Sequence, residues 1–578
     1  MCSILGVYSG LENTDEFRKK LAKMQKRGPD STHFYQDDRY FVGMNRLSIN
    51  DISQGEQPFF SGDKNIVVVF NGEIYNHKKL REILQKDGFD FRTHCDGEIL
   101  PAMYQKYGLG CFLHLDGMFG IAIYDKRKKK IILGRDYLGE KPLYFMHHRG
   151  RFAFSTLIEP LKESHFQLNP SAIWDFLTFG FIPEQNCIYK EIQSVPNGSF
   201  LEFDCEKNTY KISSFKDKVL ENFSNPSHKD LVAKTRDLVM ESVDDRLLSD
   251  VPLGSFLSGG LDSSIVSALV SKKIENLNTF NIAFAEGYDP YSKEVDESYF
   301  AKILAKSIRS KHHEIRVDGV IFQKYLESFI EDMDQPFGSI SGIGVKIIAQ
   351  KAREMGIKVL LSGDGADELF GGYPWYPKLK FSNPKFITQE KPKGWHCYAF
   401  ESEKKEIFNQ DFFSDNLDSR HFFPKADSEP LDFIQFDRDF YLPFEMMVKM
   451  DRMCMSEGVE GRACFVSPKI LSFTQGLDYE TLFKNGEKWL LKGAFKDILP
   501  QEILKREKHG NAPIDFWMKT SWLPLLEYAL SDGVLIKLGI LNKDKKEEFL
   551  QKLFSSDRRI GNIAFFLVVL NLWLEKNA

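Results

Sequence analysis

Over the first two hundred residues the apolar runs are short, β-branched or aromatic, and broken by turn formers. Residues 65–70, for example, end in Val67-Val68-Val69-Phe70 and meet Asn71-Gly72. This pattern predicts strand-dense structure with a few helices, one of them over residues 78–85. The apolar strands Phe119-Gly120-Ile121-Ala122-Ile123-Tyr124 and Ile131-Ile132-Leu133 flank Lys126-Arg127-Lys128-Lys129-Lys130, so the basic run reads as a solvated hairpin turn. From 206 to 229 the chain becomes polar and irregular, with Asn222, Ser224, Asn225, Pro226 and Ser227 close together, the composition of a linker.

Beyond that segment strands alternate with long helical stretches. Residues 254–257 are largely apolar, a Gly-rich turn follows, and 264–273 has helical periodicity; 358–361, then Ser362-Gly363, then the stretch from Asp367 repeat the arrangement. Such alternation predicts a parallel sheet covered on both faces, with ligands at the carboxyl ends of its strands. The expected organisation is a domain over 2–205, a linker over 206–229 and a second domain over 230–578. The longest apolar stretch, 563–570 with Leu572-Trp573-Leu574, is too short to span a bilayer and predicts a buried C-terminal helix.

Composition adds little beyond exclusions. A net charge of -5 over 578 residues gives no preference for nucleic acid. The eight cysteines form no C-x-x-C pair and read as reduced thiols. No basic segment followed by an apolar core opens the chain, so a cytoplasmic location is expected and Cys2 stays next to the N-terminus.

Three segments carry chemistry. Removal of Met1 would leave Cys2 with both a thiol, of pKa roughly 8.5, and an α-amine, of roughly 7.7 to 8.0, so the amine can take the thiol proton. On position alone Cys2 reads equally as the first residue of a buried strand. In Phe256-Leu257-Ser258-Gly259-Gly260-Leu261-Asp262-Ser263-Ser264 an apolar strand meets two glycines, and Ser263 or Ser264 can cap the helix that follows. Such a turn is an anion site, with Asp262 placed to hold a divalent cation on the same phosphates. No Gly-Lys dipeptide occurs, which excludes a Walker-type loop. The third segment, Ser362-Gly363-Asp364-Gly365-Ala366-Asp367-Glu368, crowds carboxylates between apolar flanks and points to magnesium.

The run Ser258 to Ser264 resembles the SGGxDSS signature of the PP-loop ATP pyrophosphatases, which release pyrophosphate and adenylate a substrate. Together the segments resemble the glutamine-hydrolysing asparagine synthetases over essentially the whole chain. The resemblance implies an N-terminal-nucleophile αββα sandwich, then a PP-loop (adenine nucleotide alpha hydrolase-like) parallel-sheet α/β domain, with ammonia passing between them. It implies that Cys2 attacks glutamine, that Asn71 and Gly72 form the oxyanion hole, and that Arg46, Leu47, Glu73 and Asp96 complete the glutamine site. Gly134 to Tyr144 matches a family segment assigned to scaffolding. Leu257, Ser258, Gly259, Gly260, Asp262, Ser263, Ser264, Ile282, Ser362 and Gly363 fall where the family binds ATP. Asp262 and Asp367 match the Mg2+ ligands, while Asp364 and Lys508 match positions near the acyl-adenylate.

Two segments depart from the family pattern. Asp334-Gln335-Pro336-Phe337-Gly338-Ser339 has Gln335 and Ser339 where relatives often carry acids, and Arg462-Ala463-Cys464-Phe465-Val466-Ser467 lacks a proline and an acid. Aspartate is the acceptor that the resemblance implies. The departures leave room for another carboxylate, such as a sugar uronic acid, and a non-catalytic glutamine or nucleotide sensor is the reading from another class. Glutamine, ATP and the acceptor are the expected small-molecule partners, with neither nucleic acid nor membrane; the one protein partner considered is a second copy in a homodimer, for which no residue argues.

Overall fold

The computed structural model describes residues 2–8, 13–183, 186–216, 227–285, 297–380, 396–413, 416–425, 428–506, 512–555 and 558–577. In the N-terminal half twelve strands form two six-stranded sheets: β1 (Cys2–Tyr8), β2 (Ser31–Gln36), β3 (Tyr40–Arg46), β4 (Phe59–Phe60), β5 (Ile66–Ile74), β6 (Gly117–Asp125), β7 (Lys130–Arg135), β8 (Tyr144–His148), β9 (Arg151–Ser155), β10 (Ile192–Ser194), β11 (Ser199–Asp204) and β12 (Thr209–Ser214). One sheet has the order β10-β8-β9-β1-β3-β2, the other β12-β11-β7-β6-β5-β4.

The period of two along β1 explains the layering. Cys2, Ile4 and Tyr8 enter the core between the sheets with Val67, Val69 and Ala122, whereas Leu5 and Val7 face outward onto Phe17 and Leu21 of helix Thr14–Ala22. On the opposite outer face Leu80 and Leu84 of helix His77–Lys86 and Ile99 and Met103 of helix Ile99–Tyr107 cover Val68, Phe70, Ile121 and Ile123. This is the αββα sandwich of the N-terminal-nucleophile fold.

Two expectations need correction here. Asn71-Gly72 is not a turn, because β5 runs on to Ile74. Gly72 has φ +153°, and a Cβ there would lie 1.9 Å from the Met118 carbonyl oxygen, so the glycine permits close strand approach rather than reversal. The linker expected from 206 also begins too early, since β12 lies within it; its polar residues belong to a largely exposed edge strand. Residues 217–226 of that linker lie outside the described residues.

The C-terminal half carries five parallel strands, β13 (Leu253–Phe256), β14 (Asn278–Phe284), β15 (Lys311–Val317), β16 (Val359–Ser362) and β17 (Glu460–Ala463), in the order β15-β14-β13-β16-β17. The chain leaves β13 toward one edge and returns at β16 toward the other. The turns after these two neighbouring strands therefore meet at the topological switch point. The helix after β13 starts earlier than expected, at Leu261, and ends at Val270. A π-helical stretch, Asp437–Met447, which no sequence pattern announced, supports the acidic turn: Arg438 donates to the carbonyls of Glu368 at 3.0 Å and Leu369 at 3.1 Å.

The halves share an apolar core, in which Ile173 and Phe176 of helix Pro170–Phe179 join Phe565, Phe566 and Val569 of the buried C-terminal helix Arg558–Asn577. Among the described residues no helix is long and apolar enough to cross a membrane. A buried ion cluster also links the halves: Asp451 accepts from Arg27 at 2.8 and 3.1 Å and from Lys141 at 3.2 Å. Asp136, in the segment assigned to scaffolding, takes backbone N–H groups of Phe119, Glu140 and Lys141 and so sets the loop that carries Lys141.

Burial alone would raise the Asp451 carboxyl, but Arg27 and Lys141 outweigh it and lower it from 3.8 to about 2. Because the folded value lies below the unfolded one, this stabilisation is present above pH 3.8 and is lost as pH falls through about 2. Asp451→Asn is expected to lose about 2 kcal/mol or more at neutral pH and to flatten the acid limb of stability between those values. Urea unfolding at neutral and acid pH checks this; an unchanged acid limb would show that the cluster contributes nothing.

Candidate active site

The first centre forms where the two N-terminal sheets face each other at Cys2. The β1–β3 register sets Arg46 directly opposite Cys2, and Asn71 approaches from the other sheet. The Cys2 N–H donates to Asn71 Oδ1 at 3.0 Å. With its oxygen engaged, the Asn71 amide keeps its Nδ2 buried and without a hydrogen-bond partner among the described residues. Burial raises the Cys2 thiol above its ordinary value, while the chain N-terminus, the Leu47 N–H and Arg46 act in the opposite direction.

The charged groups around the thiol fall into two sets. Arg46 donates to the carbonyls of Asn50 at 3.0 Å, Asp51 at 2.8 Å and Ile52 at 3.2 Å, committing three of its five N–H groups to that loop. Glu73 and Asp96 are both buried; Asp96 Oδ2 accepts the Ile74 N–H at 2.7 Å, and Glu73 Oε2 accepts the Asn50 side-chain amide. Burial first, then the Glu460 and Asp96 carboxylates, push the Glu73 carboxyl well up, with Arg462 opposing. Two buried acids this close suit an incoming ammonium.

Gln57 was missed in the sequence. Its amide pairs with the Phe70 backbone at 2.7 and 3.1 Å and places Nε2 4.0 Å from Cys2 Sγ. Nothing in a lone glutamine before a proline marked it.

The second centre lies at the switch point. Gly260 is the N-cap of helix Leu261–Val270 and provides no side-chain cap. The expected capping by Ser263 or Ser264 therefore does not occur: Ser263 Oγ donates to the Gly260 carbonyl at 3.3 Å and contacts Ser258 Oγ at 3.1 Å, and Ser264 Oγ is buried without a partner among the described residues. The first N–H groups of the helix are left for an anion. Gly259 has φ +79°, and a Cβ there would meet the Ala301 nitrogen at 2.5 Å. A Cβ on Gly363 would lie 2.7 Å from the Ser263 nitrogen, so the two turns touch. Leu257 bonds the Phe280 carbonyl through its N–H at 2.8 Å, and Ile282 lies two residues further along β14.

Between the turns stands Lys488. Its Nζ lies 2.6 Å from Asp262 Oδ2 and 2.5 Å from Asp367 Oδ1. Burial would lower this ammonium, but the two carboxylates hold it above its ordinary value. Lys488 has φ +52°, uncommon for a residue with a side chain, and Gly372 lies so close that a Cβ would sit 2.0 Å from both Asp367 Oδ1 and Lys488 Cε. Asp364 accepts from Ser362 Oγ at 2.8 Å; burial raises its carboxyl and Lys449 opposes. Lys508 lies outside the described residues.

Of the two departed segments, the second lies against the acidic turn, where the Cys464 N–H donates to the Ser362 carbonyl at 3.0 Å, whereas the first packs toward the N-terminal half. Gln335 Oε1 accepts the Ile188 N–H at 3.3 Å, Ser339 and Ser341 pair through their hydroxyls, and Val466 packs on Gly365.

Residues 234–575 match the asparagine synthase family model, and residues 1–215 match the glutamine amidotransferase domain. The chain belongs to the asparagine synthase family. Family membership makes it a glutamine-hydrolysing ligase. Asparagine synthetase (glutamine-hydrolyzing) 1 of Bacillus subtilis (strain 168) is 27% identical over 631 residues, covering 100% of this chain and 97% of that one. Asparagine synthetase B of Escherichia coli (strain K12) is 33% identical over 68% of this chain and 67% of its own length. Asparagine synthetase (glutamine-hydrolyzing) 3 of Bacillus subtilis (strain 168) is 26% identical over 88% of this chain and 86% of its own.

Proposed function

We propose that this chain makes asparagine from aspartate, using glutamine as the nitrogen source and ATP, and releasing glutamate, AMP and pyrophosphate. The observation that carries the first half is the Asn71 amide, whose oxygen is fixed on the Cys2 backbone N–H and whose Nδ2 is buried without a hydrogen-bond partner among the described residues. A buried donor in that position serves an oxyanion that exists only during reaction.

With Met1 removed, the Cys2 α-amine takes the thiol proton and Sγ attacks the glutamine side-chain amide carbon. Asn71 Nδ2 and the Gly72 N–H receive the tetrahedral oxyanion, and the amine returns the proton to the departing ammonia. Water then hydrolyses the thioester to glutamate. Arg46, through the N–H groups its loop leaves uncommitted, receives the α-carboxylate, and Glu73 with Asp96 receives the α-ammonium.

At the second centre the open helix N-terminus and the N–H groups of Ser258 to Ser264 receive the ATP phosphates, with Leu257, Ile282, Ser362 and Gly363 around the nucleotide. Two carboxylates drawn to a single cation fit Mg2+, which ordinarily takes one or two from protein and the rest of its shell from phosphate and water. Asp262 and Asp367 would hold it, where it would neutralise charge on departing pyrophosphate. Lys488 adds a resident cation. The acceptor carboxylate attacks the α-phosphorus, and ammonia then displaces AMP from the acyl-adenylate, where the resemblance also puts Lys508.

An amino-acid acceptor is supported by Lys449, which is buried, ion-paired with Glu445 at 3.2 Å, and set against Asp364. A cation and acids side by side match an α-carboxylate and an α-ammonium, whereas a uronic acid offers hydroxyl groups. The test is pyrophosphate release with ATP, glutamine and a panel of carboxylates. Aspartate is expected to be turned over with asparagine as product; turnover of a sugar acid but not aspartate would replace this acceptor, and no turnover with any would favour a sensor.

A further inference from the structure

Arg462 belongs to β17 in the synthetase half and is fully buried, yet it reaches the thiol centre. Its Nε donates to Glu460 Oε1 at 2.5 Å, and its Nη1 donates to the carbonyls of Arg246 at 2.6 Å and Leu248 at 2.7 Å. These bonds anchor the guanidinium in its own half. Nη2 makes no hydrogen bond among the described residues and lies 3.6 Å from Glu73 Oε1, near enough for charge attraction but too far for a hydrogen bond. A buried cationic donor without an acceptor is costly, so a small approach of the two groups would be favourable.

Both ends of this contact are tied to a reaction centre. Glu73 stands two residues after Asn71 on β5. At the other end, β17 pairs with β16 so that Arg462 lies beside Leu361 and Ala463 beside Ser362, where the acidic turn begins. Any displacement of β16 on binding of nucleotide and acceptor would be carried by this register to Arg462.

We propose that Arg462 is a positioning residue that couples the two centres, its Nη2 closing on Glu73 when ATP and acceptor are in place. Closure holds Glu73 ionised and fixed to receive the glutamine ammonium, so nitrogen is released when an acceptor is ready for it. This rests on the reading of Glu73 as part of the glutamine site. Coupling of this kind is reciprocal, so glutamine must also tighten the nucleotide centre.

The test uses the full chain and Arg462→Lys, which keeps the charge and loses the fork. Glutamine KM and kcat for hydrolysis are measured with and without ATP plus aspartate, beside ammonia-driven synthesis. In the wild type, ATP plus aspartate is expected to lower glutamine KM by about 5-fold or more. In Arg462→Lys that response disappears, and KM stays at the ligand-free value while ammonia-driven synthesis continues. A purely structural role would instead lower every activity together and would overturn the proposal, as would a variant that still responds.

If Arg462→Lys does not fold, Glu460→Gln serves. It loosens the guanidinium from β17, and the proposal predicts a low glutamine KM with or without ATP; a KM that still depends on ATP overturns it. Wild-type hydrolysis indifferent to ATP and aspartate would overturn the coupling alone. A wild type that hydrolyses no glutamine would overturn the reading of Glu73 and the coupling with it.

Discussion

Cys2→Ala is expected to lower glutamine-driven synthesis by at least about 10³-fold in kcat/KM while ammonia-driven synthesis continues, the loss typical of removing a nucleophile that acts as one unit with its base and oxyanion donors. The separation follows from the architecture. Cys2 lies between the two N-terminal sheets, whereas Asp262, Asp364, Asp367 and Lys488 cluster beyond β13 and β16 of another sheet. Removing one sulfur from the strand leaves that cluster intact. Glutamate release and asparagine formation, measured in the same preparation with glutamine and then with ammonium chloride, check the expectation. Retained glutamate release would mean that another group attacks glutamine. Loss of both activities would mean that the centres cannot be separated.

Lys488→Met is expected to fail in adenylation and to change how the protein responds to magnesium. Asp262 and Asp367 converge on one ammonium, and without it two carboxylates face each other in a largely buried site. Breaking such an arrangement by removing one partner costs about 3–5 kcal/mol. The variant should therefore melt earlier than the wild type in chelator and recover more stability than the wild type when Mg2+ is added, because a divalent cation replaces the missing charge. Pyrophosphate release should fall by about 10²-fold or more, as for other fixed charges aimed at a charged transition state. Thermal melts in chelator and in magnesium chloride, with pyrophosphate release, check both parts. An identical magnesium response in variant and wild type would contradict the placement of the ion on these two aspartates.

Lys488 also shows where legibility in the sequence ends. Asp262 and Asp367 could be read because glycines and serines crowd around them in short runs with an evident local geometry. Their cation comes from 121 residues after Asp367, in a polar turn before Trp489, and among 77 lysines and arginines no local pattern selects it. Gln57 and Arg462 escaped for the same reason, since each acts through a contact made only by folding. The strand-helix alternation of the second half was legible because a parallel sheet repeats a period. Asn71-Gly72 was misread because the residues that favour turns also permit close approach of two strands, and only the Met118 carbonyl tells the two apart. The π-helical stretch had no signal in the side-chain period; Pro443 within it, which cannot donate a helical hydrogen bond, is the one local mark it carries.

On the proposed mechanism, nitrogen leaves glutamine at Cys2 and reaches an acyl-adenylate at the second centre of the same chain. The direct test supplies amide-15N glutamine, ATP, Mg2+ and aspartate in a bath of unlabelled ammonium, and follows the asparagine amide by mass spectrometry. Asparagine is expected to be labelled well beyond the isotopic composition of the bath, with glutamate, pyrophosphate and asparagine formed in equal amounts. Asparagine that carries only the bath isotope, or pyrophosphate released without asparagine, would contradict it.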